Sequence, residues 1–134
     1  MILGVHSATF VKNWHEDITP YIHKCKKAGY KSVEISLLGQ TPSSAKEIAK
    51  LANDLNITLT CTTGLSKDED ISSNNKLIQK NGVEALKKAI ELTSIMEANL
   101  LTGVVHAAWG ISSSQGKDKE AKFKNSSQCI KKIS

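Results

Sequence analysis

The chain has 134 residues, 40% of them hydrophobic and 23% charged, with a net charge of +5. That balance fits a single domain with its own core and argues against a disordered chain. No run approaches the roughly 20 apolar residues of a membrane helix. The basic excess is spread along several predicted helices, at Lys24, Lys26, Lys27, Lys46, Lys50, Lys87, Lys88, Lys131 and Lys132, without interleaved aromatics. Solvated helix faces explain it, and no nucleic-acid partner is expected.

The predicted elements alternate. Ile2 to His6 reads as a first strand and not as a signal peptide. Ile18, Tyr21, Ile22, Cys25 and Ala28 recur at helical spacing, and Gly29 follows as a stop. Ser32 to Ser36 alternates as a second strand. Thr41-Pro42 opens a second helix with a cap and a first-turn proline. Its stripe is Ala45, Ile48, Ala49, Ala52 and Leu55, with Asn56 to close it. Ile57 to Thr62 is a third strand, followed by a polar loop from Gly64 to Asn74. Within that loop, Asp68, Glu69 and Asp70 read as a solvated acidic run and not as a metal site. Ser73 or Asn74 is expected to cap a long third helix with the stripe Ile78, Val83, Leu86, Ala89, Ile90, Thr93 and Met96. Asn99 to His106 is a fourth strand, Ser112 to Lys117 a loop, and Lys119 onward a helix carrying Phe123, Ile130 and Ile133.

Strand and helix alternating four times predict βαβ units and a parallel sheet. Glu34 and Ser36, then Thr58, Thr60 and Thr62, make one strand face polar, which fits a barrel interior better than a doubly wound sheet buried on both faces. No Gly-x-Gly-x-x-Gly follows the first strand, against dinucleotide binding. A complete (β/α)₈ barrel needs about 250 residues, so the expected fold is a parallel (β/α)₄ half of a TIM barrel, a single truncated domain over residues 1–134. Cys25, Cys61 and Cys129 are odd in number and show no Cys-x-x-Cys, so reduced, mostly buried thiols and a cytoplasmic location are expected.

Sites in parallel α/β folds lie at the C-terminal ends of the strands. Those ends carry His6, Phe10 and Trp14; Glu34, Ser36 and Leu38; Thr62-Thr63-Gly64-Leu65; and His106-Ala107-Ala108-Trp109-Gly110. An aromatic ring beside polar donors suits a sugar, whose C–H face the ring covers while the polar groups bind hydroxyls. Structural roles fit the same residues. His6 and His106 could be hydrogen-bonded rim residues, Trp14 and Trp109 packing residues, and Glu34 one half of an ion pair. His15 and His23 read as surface residues. No nucleophile or metal constellation is present.

The stretches Gly4-Val5-His6 with Trp14 downstream, Ala28-Gly29-Tyr30-Lys31-Ser32-Val33-Glu34-Ile35, Ile57 to Gly64, Asp70-Ile71-Ser72-Ser73 and Thr102 to Gly110 resemble, in order and spacing, the ketose 3-epimerase family. These are the D-tagatose and D-psicose 3-epimerases of the xylose isomerase-like TIM barrels. The resemblance implies a metal-dependent sugar isomerase that removes the C3 proton of a ketose and returns it on the opposite face through an enediolate. It implies manganese or cobalt held by two Glu, one Asp and one His from later strands. None of these can be matched here, so no catalytic or metal residue is assigned and the 134 residues alone are expected to be inactive and to bind no metal. What carries over is the substrate wall: His6, where the family usually has an aromatic, Trp14, Gly64 as a turn residue, His106 and Trp109. Phe10, Glu34, Leu65 and Ala107 are further pocket candidates. The expected partners are a small ketose and either a second copy or a second half-barrel, because a half-barrel leaves sheet edges unpaired. Alternatives are a non-catalytic sugar-binding or partner-completed half-barrel and, less well matched, an abasic-site endonuclease, which needs a histidine where Thr62-Thr63-Gly64-Leu65 stands.

Overall fold

The computed structural model describes residues 2–111 and 117–133. Eight main elements alternate: β1 Gly4–His6, α1 Thr19–Lys27, β2 Ser32–Ser36, α2 Pro42–Asp54, β3 Thr58–Leu65, α3 Lys76–Ile95, β4 Leu101–Ala108 and α4 Lys117–Ile130. The four strands are parallel and form one sheet in the order β1-β2-β3-β4. In register, Val5 pairs with Val33 and Val33 with Leu59, and His6 pairs with Glu34 and Glu34 with Thr60. No helix among the described residues is long and apolar enough to cross a membrane. The loop expected from Ser112 falls, for positions 112–116, outside the described residues.

The chain divides into two compact units, residues 1–63 with 89–102 and residues 64–88 with 103–134. In the first, Val33, Ile35, Leu59 and Cys61 are buried in one cluster with Ile18, Ile22 and Cys25 before and along α1, Ala45, Ile48 and Ala52 of α2, and Ala89, Leu92 and Met96 around the end of α3. Alternate strand residues point to opposite faces, so these helices cover one face of β2 and β3. Glu34, Thr60 and Thr62 are left on the other. That is the one-sided arrangement of a barrel wall, as the polar alternation predicts. The second unit has its own core of Leu65, Ile71, Val83, Leu86 and Cys129. All three cysteines are buried and free, and burial pushes the Cys25 and Cys61 thiols up.

Local chemistry explains the helix ends. Thr41 Oγ1 accepts from the Ser44 amide at 3.2 Å while Ser44 Oγ accepts from the Thr41 amide at 2.9 Å, a reciprocal cap at the start of α2. The first three helices close in the same way. The amides of Gly29, Asn56 and Glu97 donate to the carbonyls of Lys26, Asn53 and Ser94, and those of Tyr30, Ile57 and Ala98 reach back to Cys25, Ala52 and Thr93. This closure puts its central residue in the left-handed region. Gly29 (φ 90°) sits there without a Cβ penalty and Asn56 (φ 51°) tolerates it, whereas Glu97 (φ 55°) does not. Replacing Glu97 by Gly is therefore expected to stabilise the chain by about 0.5 kcal/mol. The conformational gain of about 1 kcal/mol is offset in part by loss of the exposed Asn53–Glu97 hydrogen bond. Thermal unfolding of the two forms checks this.

Several expectations are corrected. β3 runs to Leu65 and β4 from Leu101 to Ala108, so Gly64 lies inside its strand and not beyond it, and β4 starts two residues later and ends two residues later than expected. Asn75, rather than Ser73 or Asn74, caps α3, accepting from the Leu77 amide at 2.9 Å. Ile90 is 46% exposed and Leu92 is buried in its stead. The buried positions 79, 82, 83, 86, 89, 92 and 93 of α3, with 96 just past its end, recur at three-and-four spacing, and residue 90 lies off that face. In α4, Ser126 and Cys129 are buried, whereas Phe123 is 75% exposed.

Candidate functional site

In the first unit the polar face of the sheet carries a connected row. His6 ends β1, and its Nδ1 accepts from the Ala8 amide at 2.9 Å. That bond leaves the ring proton on Nε2, a tautomer assigned from the hydrogen-bond network. Nε2 lies 3.6 Å from Glu34 Oε2. The other carboxylate oxygen of Glu34 accepts from Thr102 Oγ1 at 2.7 Å. Glu34 is thus the partnered carboxylate that its position demands. It keeps 29% of its side chain accessible and His6 keeps 33%, so both retain a face for a ligand. The Trp14 ring meets His6 edge-on, with centroids 6.4 Å apart and planes at 81°.

The loop bearing Trp14 is anchored at both ends. Glu16 accepts from the Lys12 amide at 2.9 Å and from the Tyr21 hydroxyl at 2.7 Å. These bonds, the Lys12 amide first, hold the Glu16 carboxyl below its ordinary value. Gly39, in the β2–α2 loop with φ 78°, lets this loop approach: a Cβ there would run into the His15 ring and come within 3.1 Å of the Trp14 carbonyl. Phe10 stacks on Tyr21, with centroids 5.9 Å apart, and packs against the first core. His15 and His23 are exposed, as expected.

In the second unit Trp109 directly follows β4, and its amide donates to the Leu65 carbonyl at 2.9 Å. The ring passes 3.9 Å from where a Cβ on Gly64 would stand. Gly64 is a strand residue outside the left-handed region, so what its lack of a side chain provides is room beside the tryptophan, not a turn. Trp109 is 72% exposed, free to cover a ligand face. Leu65 is buried in the second core. His106 and Ala107 line a cavity of about 430 Å³ with residues of α4.

Asp70 does not belong to a solvated run. It is buried, and one carboxylate oxygen accepts from the Ser72 amide at 2.9 Å, the Ser72 hydroxyl at 2.7 Å and the Ala108 amide at 3.2 Å. It thereby ties the segment before α3 to the strand end that carries Trp109. The Asp-x-Ser spacing was the available signal, since a carboxylate two residues before a serine amide makes an Asx turn. Gly82, in α3, supports the same segment from below: a Cβ there would run into the Glu69 carbonyl and the Ile71 side chain.

The family model described as "Xylose isomerase-like TIM barrel" matches residues 22–134. The chain belongs to this family. Among curated proteins, this xylose isomerase-like chain is 26% identical to a D-psicose 3-epimerase of Agrobacterium fabrum over 123 residues, 90% of its own length and 43% of that protein's. It is also 26% identical to an L-ribulose 3-epimerase of Mesorhizobium japonicum over 110 residues, 81% of its length and 37% of that protein's. A solved D-psicose 3-epimerase, crystallised in the presence of D-fructose, superimposes with a TM-score of 0.88 at 24% identity, over 99% of this chain and 47% of that one. The chain thus spans less than half the length of the relatives it matches, and its fold is that of the N-terminal half of the barrel.

Three acidic or imidazole side chains never converge among the described residues as a metal site needs. His6 and Glu34 form a pair whose partners are already supplied within the chain. The described residues therefore do not by themselves fit the metal that the resemblance implies.

Proposed function

We propose that the chain supplies the sugar-holding half of a ketose 3-epimerase-type isomerase. The observation that carries this reading is the row His6–Glu34–Thr60, in register across three parallel strands and joined by Thr102, with an exposed tryptophan beside His6. Ketoses present alternating hydroxyls, each both donor and acceptor. The Nε2–H of His6 donates, the Glu34 carboxylate accepts, and the Thr60 hydroxyl does either. In the first unit Trp14 supplies a ring face for the C–H side of the sugar; in the second, taken by itself, Trp109 with Gly64 and His106 offers a ring face and space of the same kind.

Epimerisation at C3 moves one proton and no electrons: C3–H is broken, an enediolate forms, and a proton returns on the opposite face. Glu34, held by Thr102 and His6, orients hydroxyls in this scheme and does not carry the C3 proton. Residues 1–134 alone are therefore expected to leave D-psicose unchanged, and turnover by the purified chain would overturn the assignment. Buried free thiols fit a reducing compartment, and we place the protein in the cytoplasm on that ground. In the complete barrel, Trp109→Ala is expected to weaken ketose binding about tenfold, or 1.4 kcal/mol, while shifting fold stability by less than about 0.5 kcal/mol because the ring is mostly exposed. Calorimetric titration with D-psicose alongside thermal unfolding separates the two effects. Unchanged binding would remove Trp109 from the site.

A further inference from the structure

We propose that Glu16 is a positioning residue of the first unit: through Tyr21 it fixes the loop at residues 12–16 so that the Trp14 ring stands beside His6. The inference rests on the sugar-holding reading of His6 and Trp14, and adds to it what keeps the tryptophan in place.

The loop is fastened where it leaves the core and where it enters α1. Phe10 and Val11 pack against the first core. Asp17 serves the start of α1, accepting from the Thr19 amide and from the Thr19 hydroxyl, both at 2.9 Å. The helix start thus has a carboxylate of its own, and Glu16 is left for the loop. One Glu16 oxygen accepts from the Lys12 amide at 2.9 Å and closes the loop on itself; the other accepts from the Tyr21 hydroxyl at 2.7 Å and ties the loop to α1. Inside that ring of bonds, the Asn13 side chain accepts from the His15 amide at 3.0 Å and the Asn13 carbonyl from the Glu16 amide at 3.3 Å. Trp14 sits in the middle with its ring 46% exposed, so its pose follows the loop backbone more than core packing.

Tyr21 is a firm point of attachment. Its ring stacks on Phe10, with centroids 5.9 Å apart, and Lys24 Nζ lies 4.9 Å from the ring centroid. Those contacts use the ring and leave the hydroxyl to Glu16. The Lys12 amide first, and then the Tyr21 hydroxyl, hold the Glu16 carboxyl below its ordinary value, while Glu16 pushes the Tyr21 hydroxyl above its own. Near neutral pH the acceptor is therefore charged and the donor keeps its proton, the stronger form of such a bond. From the other side, Gly39 leaves the space taken by the His15 ring and the Trp14 carbonyl. A tryptophan held at 81° to the His6 ring can cover a C–H patch while His6 Nε2–H meets a hydroxyl. A loose one would have to be ordered each time a ligand binds.

The test uses the 134-residue chain. With Trp109→Phe, Trp14 is the one tryptophan left of the two in the sequence, and time-resolved anisotropy reports its ring. With Trp109 intact, saturation-transfer NMR reports contact with D-psicose or L-ribulose. Glu16→Ala and Tyr21→Phe are each expected to raise the amplitude of fast ring motion about twofold and to lower transfer to the sugar's C–H protons about threefold. The double variant should go no further than Glu16→Ala, because Tyr21 acts through Glu16. Glu16→Gln keeps an acceptor oxygen and should restore most of both signals. Thermal unfolding should be nearly unchanged throughout, since the bonds lie near the surface. A ring equally rigid in Glu16→Ala and Tyr21→Phe overturns the proposal and leaves the sugar-holding reading as it was. A loosened ring with undiminished transfer overturns it too, because the pose of Trp14 then does not matter to the ligand. No transfer from the parent chain to either sugar overturns the sugar-holding reading, and this proposal with it. If Glu16→Ala does not fold, Tyr21→Phe decides alone, since it removes one hydroxyl and keeps the stacked ring.

Discussion

Replacing Asp70 by Ala is expected to destabilise the chain by about 3 kcal/mol and to loosen Trp109. One oxygen of this buried carboxylate serves two backbone amides and one hydroxyl. Truncation leaves the Ser72 and Ala108 amides without their acceptor in a place that water does not freely reach, and each buried unsatisfied donor costs about 1–3 kcal/mol. Asp70→Asn keeps an acceptor oxygen with no charge and should lose about 1 kcal/mol. Because Trp109 follows Ala108 directly, its fluorescence should become more mobile in Asp70→Ala under conditions where the fold is retained. Denaturant unfolding and tryptophan anisotropy check the two halves of this expectation, and equal stability of Asp70→Ala and the parent would show that the carboxylate is not the tie described.

The second large effect is expected at Gly82, where two principles oppose each other. A glycine inside a helix costs about 1 kcal/mol relative to alanine, so by propensity alone Gly82→Ala should stabilise. The Cβ, however, would enter space held by the Glu69 carbonyl and the Ile71 side chain. A backbone oxygen cannot swing aside as a lysine tip can, and Ile71 is fully buried. Overpacking of this kind costs typically 1–3 kcal/mol and more where backbone must move. Sterics should win: Gly82→Ala is expected to lose about 2 kcal/mol net, lowering the melting temperature by roughly 6–10 °C, and Gly82→Val should lose more. A stabilised Gly82→Ala would mean that the helix sits farther from the Glu69–Ile71 segment than the structure has it.

The alternation of strands and helices, the Thr41-Pro42 start, the Gly29 stop and the polar face at Glu34 and Thr60 were legible because each depends on neighbours in sequence. What was not legible depends on distant partners. Asp70 stands in a run of three acids, and only the amide of Ala108, 38 residues on, shows why it is buried. Gly82 looks like a weak point in a helix until the Glu69 carbonyl is placed beside it. Gly64 invites a turn reading because glycine usually marks one, whereas here the strand continues and the missing side chain leaves space for Trp109. Phe123 belongs to an apolar pattern in the sequence, but burial needs something to pack against, and periodicity does not supply it. Phe10 packs on Tyr21 and Leu65 within the second core, contacts with partners that their place near strand ends does not name.

The proposed role, in which this half holds a ketose for proton exchange at C3, can be tested in a chimera in which residues 1–134 replace the N-terminal half of the Agrobacterium fabrum D-psicose 3-epimerase. The measurement is deuterium uptake at C3 of D-psicose in heavy water, followed by NMR. The predicted result is solvent deuterium at C3 with formation of the C3 epimer, abolished or strongly reduced when His6 and Trp14 are both replaced by Ala. A chimera that unfolds cooperatively, and so is folded, yet leaves C3–H unexchanged in every ketose offered would contradict the claim.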